Sequence, residues 1–243
     1  MTPSVSIIIP TLNEEPVIGK TLAHLRESLP RDAYEILVVD DESTDRTAEI
    51  ARAYADQVLV RTGEVHSIAR GKNAGAKRAR GEFVVFLDAD CEPEKPAEFF
   101  KKALALFNAD PRIVGMNCSL KVFPPLATLM DRIVFAGVNL TFRLINNVLR
   151  GGGAAGEFQM VRRSIFNAVH GFNENLAVAE DQDLFRRLAK LGRVRMEPSL
   201  VVWHTGRRAH KIGWPRLLMH WWLNYLSLVI FRKSAFKEWE VIR

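Results

Sequence analysis

Cysteine is scarce in this chain. Cys91 and Cys118 are its 2 cysteines, and they lack both CxxC spacing and the dense cysteine context of a disulfide scaffold, so a reducing cytosol is the expectation. No low-complexity stretch and no fixed-period repeat is visible, which sets aside repeat arrays and disordered tails. Walker A, HExxH and the G-x-S-x-G nucleophile elbow are missing too, and with them three familiar ways of handling a phosphate, a zinc ion or an acyl group. No apolar run reaches the roughly 20 residues a membrane-spanning helix needs. The chain opens almost at once on a strand-like segment, so no signal peptide is expected.

What remains is a globular composition. The 243 residues are 48% hydrophobic and 26% charged, enough for one sizeable core. Charge is uneven: residues 1–115 carry 15 Lys and Arg against 19 Asp and Glu, whereas residues 116–243 carry 19 against 9. A basic second half suits nucleic acid, anionic lipid or a phosphorylated substrate.

Two periods alternate in the first half. Apolar runs at residues 5–9, 36–39, 58–60 and 83–87 are separated by segments of helical spacing at 17–29, 48–55 and 69–80. That alternation predicts βαβ units and a mostly parallel, Rossmann-like α/β sheet with helices on both faces. Ligands of such sheets bind beyond the carboxyl ends of the strands. There the polar residues gather: Asn13 and Glu14 after the first run, Asp40 and Asp41 after the second, Asp88 and Asp90 after the fourth. The second half predicts a long helix over 126–149, a flexible "RGGGAAGEF" loop, a strand at 158–161, a helix over 180–191 and a strand ending at "VVWH".

"DAD" at 88–90 places Asp88 and Asp90 on one face of an extended segment with Ala89 on the other. Paired carboxylates ending a buried strand suit a Mg2+ or Mn2+ ion that holds a diphosphate. In "RGKNAG", Arg70 and Lys72 stand near a helix start, where cations meet either solvent or a diphosphate. "GGGAAG" at 151–156 matches G-x-G-x-x-G by letter, but a helix precedes it and a strand follows, the reverse of a dinucleotide site. Three acids opening "EDQDLFRRL" exceed what a helix start requires, so one of them is a candidate general base.

The ordered set "PTLNE", "VVDDESTD", "KNAG", "FLDAD", "HGF" and "EDQD", spread over residues 4–204, resembles the family 2 glycosyltransferases. The resemblance implies the GT-A fold and an inverting transfer from a nucleotide-diphosphate sugar, a UDP- or GDP-sugar, with Mg2+ or Mn2+. It implies that Pro10, Thr11, Leu12 and Glu14 line the nucleotide and that Asp41 contacts the base. Asp88 would sit by the ribose, with Ala89 beside the donor; Asp90 would bind the metal, and Asp181 would be the catalytic base. His204, in the position of a third ligand in several GT-A enzymes, is expected on the metal. The Q-x-x-R-W signature of processive members is absent, so a single addition is expected. A retaining sugar transferase, a nucleotidyltransferase and a non-catalytic sugar-nucleotide or lipid-binding protein are the alternatives.

The expected organisation is a GT-A domain over 1–211, divided near 115 into nucleotide and acceptor halves, and a C-terminal helical extension over 212–243. In the extension, an uncharged run holds Trp221, Trp222 and Tyr225 between Arg216 and Arg232, with Arg207, Arg208 and Lys211 ahead of it and Lys233 and Lys237 beyond. Aromatic residues flanked by cations suit a membrane interface. The expectation is a peripheral protein on the cytoplasmic membrane face with a lipid-linked acceptor, a polyprenyl phosphate or its glycan. Nucleic acid is not expected, because the cations flank an apolar stretch instead of lining a polar groove.

Overall fold

The computed structural model describes residues 3–63 and 67–231. The first half is the expected alternation: β1 (Val5–Thr11), α1 (Glu15–Ser28), β2 (Tyr34–Asp40), α2 (Thr47–Tyr54), β3 (Gln57–Val60), α3 (Ile68–Arg78) and β4 (Phe83–Leu87). These strands are parallel, in the order β3-β2-β1-β4. Their side chains alternate between two cores. Ile7 and Ile9 face one with α1, while Ile8 and Phe86 face the other with α3. A strand covered on both faces is apolar throughout, which is why these runs were easy to see.

The rest comprises β5 (Cys91–Pro93), α4 (Pro96–Ala109), β6 (Ile113–Val122), α5 (Leu129–Arg143), a π turn (Leu144–Val148), β7 (Phe158–Arg162), α6 (Arg163–Ala168), α7 (Glu180–Leu188), β8 (Arg193–His204), α8 (Arg207–Ile212) and α9 (Trp214–Phe231). β7 lies antiparallel between β4 and β6, and β8 runs parallel to β6 and antiparallel to β5, extending the order to β4-β7-β6-β8-β5. The sheet is therefore continuous, and the division near residue 115 falls inside β6. The helix expected over 126–149 starts three residues later because Thr128 caps it, in a reciprocal box with Asp131. Its last turn widens into the π turn. α7 ends at Leu188, short of the expected 191.

α9 joins the body at its first turns. Trp214 and Leu217 belong to the same core as β1 and α1. Asp131, 1% exposed, accepts bonds from Thr128 N–H (2.7 Å), Thr128 Oγ1 (2.7 Å) and Trp214 Nε1 (2.9 Å), with His210 Nε2 at 2.8 Å. Burial opposes its charge, but these donors hold the carboxyl below its ordinary pKa. Asp131→Ala would strip the α8–α9 anchor and leave buried donors unpaired. The expected cost is about 3 kcal/mol, a fall of roughly 6–12 °C in Tm measured by circular dichroism. Among the described residues no helix is long and apolar enough to cross a membrane. Arg232, Lys233 and Lys237 of the expected interfacial tail lie outside the described residues.

Candidate active site

Two loops at the carboxyl end of the parallel strands are laced together. Asn13, Glu14 and Glu15 donate backbone N–H bonds to Ser43 Oγ, Thr47 Oγ1 and Asp45, and Thr44 N–H returns one to Asn13 Oδ1. Asp40 lies within this lacing: buried, it accepts from Thr11 Oγ1 (3.1 Å) and from the backbone and hydroxyl of Ser43. Its neighbour Asp41 pairs instead with Arg61. The adjacent acids thus separate, Asp40 building the loop and Asp41 engaged with Arg61 in a largely buried ion pair. Pro10, Thr11 and Leu12 run into this platform from β1.

The "DAD" turn sits beside it. Thr21 of α1 donates to Ala89 O at 2.7 Å, and Asp88 N–H bonds Glu157 O at 3.2 Å, so both neighbouring elements hold the turn. Asp88 meets a second set of groups. A Cβ built on Gly156 would lie 3.9 Å from Asp88 Oδ2, 3.9 Å from Asp181 Oδ2 and 4.0 Å from Lys72 Nζ. Side chains from the turn after β4, from α7 and from α3 therefore line one small space beside Gly156, where a Cβ would stand in ordinary contact with all three. Desolvation raises Asp88 to about 7, against the pull of Lys72. Asp181 is raised to about 8, first by desolvation and then by the charge of Glu180. Lys72 is fully buried, 3.4 Å from Glu180 Oε1. Desolvation works against its charge, but Glu180, Asp88 and Asp181 together raise its pKa. Lys72 is thus the counter-ion of an acidic cluster, in place of the open phosphate contact expected of it. Arg70 turns away to Glu174 (3.7 Å).

Asp90 faces different partners. Thr205 Oγ1 donates to Asp90 Oδ2, and Arg207 Nε lies 3.3 Å from the same oxygen. Arg207 also grips Glu14 with two bonds of 2.7 Å each. It bridges the β1 loop to the turn that bears Asp90, and these carboxylates raise its pKa despite its partial burial. Thr205 was not singled out from sequence, and Arg207 was read there as one of the cations beside the interfacial tail, whereas the fold turns it onto Glu14 and Asp90. Glu14 lies 193 positions from Arg207, and no local pattern encodes such a pair.

His204, expected on the metal, lies at the end of β8. Register pairs it with Cys91, which leaves Thr205, on the other face of the chain, opposite Asp90. The His204 ring packs edge-on to Phe135 at 4.6 Å, its Nδ1 accepts from Gly206 N–H at 3.2 Å, and its Nε2 is buried without a partner. Among the described residues neither ring nitrogen pairs with a carboxylate. Alternation along β8 turns the imidazole into the core. The carboxylates of Asp88 and Asp90 are hard oxygen donors of the kind Mg2+ and Mn2+ prefer, and they fit such an ion when diphosphate oxygens complete its shell. The described residues hold no group of three or more His, Cys, Asp and Glu placed to bind a metal by themselves. Beside Asp90 opens a cavity of about 240 Å³, bordered by Lys20, Thr21, Glu92, Phe123, Leu126 and Thr205.

Comparison with known proteins bears on the family and the fold. The chain is 29% identical over 229 residues to the probable glycosyltransferase YdaM of Bacillus subtilis, covering 87% of this chain and 53% of that protein. It is 28% identical over 244 residues to the β-monoglucosyldiacylglycerol synthase of Synechocystis, covering 90% and 50% respectively. The chain thus spans about half the length of these relatives. Among solved structures, the mannosyltransferase PcManGT of Pyrobaculum calidifontis, in complex with GDP-Man and Mn2+, superposes with a TM-score of 0.70 at 24% identity, over 93% of this chain and 61% of that one. The fold is the expected GT-A arrangement. The pattern described as Glycosyl transferase family 2 matches residues 6–169, and the chain belongs to that family.

Proposed function

We propose that the protein transfers a single sugar, with inversion, from a nucleotide-diphosphate sugar to a lipid-linked acceptor at the cytoplasmic face of a membrane, assisted by Mg2+ or Mn2+. The observation that carries the chemistry is the convergence of Asp88, Asp181 and Lys72 around Gly156. Asp181 takes the proton of an acceptor hydroxyl as that oxygen attacks the anomeric carbon. The bond from that carbon to the diphosphate breaks, and the nucleoside diphosphate leaves with the electron pair. One displacement inverts the anomeric centre. Pro10, Thr11, Leu12 and the 40–47 loop hold the nucleotide, with Asp41 toward the base. Asp90 would hold the divalent ion, with Asp88 by the ribose, and the ion when bound would offset charge on the departing diphosphate. The solved neighbour was captured with GDP-Man and Mn2+, which favours a donor and an ion of these classes.

The lipid part of the reading rests on the surface. Along α5 and the π turn, Leu129, Ile133, Leu140, Leu144 and Val148 are 74%, 58%, 55%, 47% and 66% exposed. At spacings of four and seven they form one stripe. Arg132, Arg143 and Arg150 are exposed alongside, and Asp131, the one acid of this stretch, is buried. On α9, Met219 and Trp222 are exposed in the same way. Apolar stripes bordered by cations suit an anionic bilayer surface. Leu126 links the stripe to the cavity beside Asp90, a route for a lipid-borne acceptor. The Synechocystis relative is named for a glycolipid product. Co-sedimentation with liposomes rich in phosphatidylglycerol tests this: the native chain is expected to bind, and a Leu129→Glu, Ile133→Glu double variant to lose most of that binding. Negligible binding by both proteins makes a soluble acceptor the better reading.

A further inference from the structure

The "GGGAAG" segment, expected to be flexible, is held by side-chain amides. Gly153 O accepts from Asn146 Nδ2 (2.8 Å) and Asn117 Nδ2 (3.1 Å), Ala154 O from Gln182 Nε2 (2.5 Å), and Ala155 O from Gln159 Nε2 (2.9 Å). Gly153 N–H donates to Asn146 Oδ1 at 2.8 Å. One asparagine amide thus pairs both backbone groups of Gly153, as a neighbouring strand would. Asn117, Asn146 and Gln159 are all buried, and Asn146 Nδ2 also reaches Asn117 Oδ1 at 3.2 Å. Buried peptide groups need partners. Before β7 begins at Phe158 no ladder supplies them, and these amides stand in.

The amides come from β6, the π turn, β7 and α7, and they converge on the residues leading to Gly156. The segment is also pressed against the helix that bears Asp181. Gly152 has φ +72°, and a Cβ there would meet Phe185 O at 2.2 Å. Gln182, which holds Ala154, follows Asp181 directly and donates its backbone N–H to Asp181 Oδ1 at 2.7 Å. Asn146 sits on a π turn, a rare conformation found disproportionately at functional sites. A surface loop needing only solubility would not require four such amides, three of them buried.

We propose that Asn146 is a positioning residue for the transfer reaction. With Asn117, Gln159 and Gln182 it fixes residues 153–156 against α7, so that the backbone at Gly156 keeps its place beside Asp88, Asp181 and Lys72. The inference rests on the transferase reading. It adds that the geometry of the reacting site is set from the end of the helix whose outer face carries the apolar stripe. The platform for the nucleotide, residues 10–14 and 40–47, makes no bond to these amides, so donor binding and turnover separate.

Asn146→Leu, close in volume and without the amide, is the decisive variant. A displacement of about 1 Å at a reacting site costs on the order of a hundredfold, and kcat at saturating donor is expected to fall by that order. The Kd for UDP or GDP with Mn2+, by calorimetry, is expected to stay within about threefold. Gln182→Leu, which removes one bond of the set, is expected to lower kcat in the same direction and keeps the test alive if Asn146→Leu fails to fold. A folded Asn146→Leu protein with a lower Tm but native kcat per folded molecule would reduce the amides to a stabilising role and overturn the inference. If Asn146→Leu does not fold, native kcat in Gln182→Leu overturns it equally. The native chain is assayed in parallel with a panel of nucleotide sugars. Transfer by the native chain with native kcat in the variants overturns this inference alone, while absence of transfer by the native chain removes the transferase reading and this inference with it.

Discussion

Asp181→Asn is expected to abolish transfer, by a factor of about 10³ or more, while making the folded protein more stable at alkaline pH. The loss follows from the role: a positioned general base contributes about 10²–10⁴ in rate, and an amide takes up no proton. The gain follows from the environment. Desolvation and the Glu180 charge raise Asp181 to about 8, whereas the same carboxyl in an unfolded chain titrates near its ordinary value of 3.8. Between those values the folded state keeps a proton that the unfolded state has released. Folding stability is therefore fullest below the lower value and declines as pH rises through the window. Asparagine removes this dependence, and at pH 8.5 the variant is expected to gain on the order of 2 kcal/mol, or roughly 4–8 °C in Tm. At pH 5 the gain should be much smaller. In the native protein kcat/KM should climb with pH to about 8 as the base loses its proton, and that limb should vanish in the variant. Nucleotide binding should be nearly unchanged. Turnover of the Asp181→Asn protein at the native rate would remove the assignment.

Asp90→Ala is expected to weaken metal and donor binding together. The carboxylate stands where the β1 loop, the "DAD" turn and the β8–α8 turn meet, held by Thr205 and 3.3 Å from Arg207 Nε. Its removal takes away a hard oxygen donor and leaves Arg207 bonded to Glu14 alone. Nucleotide-sugar affinity in the presence of Mn2+ is expected to fall about a hundredfold, close to 3 kcal/mol, and turnover to fall with it. Affinity in the presence of a chelator should change much less, because Arg207 keeps both of its bonds to Glu14 and with them the β1 loop of the platform. Calorimetric titration with UDP- and GDP-sugars, with and without the ion, separates these terms. Native Mn2+-dependent affinity in the Asp90→Ala protein would exclude Asp90 from the metal site.

The contrast between these carboxylates shows how far a sequence can be read. A buried parallel strand is apolar at nearly every position, so β1, β2 and β4 declared themselves as runs, and the acids that follow them marked the candidate ligand-binding edge. α5 was visible by its period, but its start was placed three residues early, at 126, because the cap that sets it is a reciprocal side-chain pair, Thr128 and Asp131. Elements with mixed character were harder. α4 and β6 bury large side chains from both a helix and a strand with no distinctive edge chemistry, and they emerge only in the assembled fold.

The local order of residues thus determined the α/β class, the parallel half of the sheet, the strand-end acids and the acidic start of α7, because each depends on periodicity or on neighbours a few positions apart. Tertiary structure decided the rest. Pairing of Cys91 with His204 turned the imidazole into the core and gave Asp90 to Thr205. Closure of the chain brought Arg207 to Glu14, and amides from four elements fastened a glycine-rich segment that reads as loose in isolation. Enclosure raised Asp181 and Asp88 far above ordinary carboxylates. Side-chain facing, long-range pairing and desolvation are properties of the packed whole, and a one-residue change of register would alter every one of them without changing a letter of the sequence.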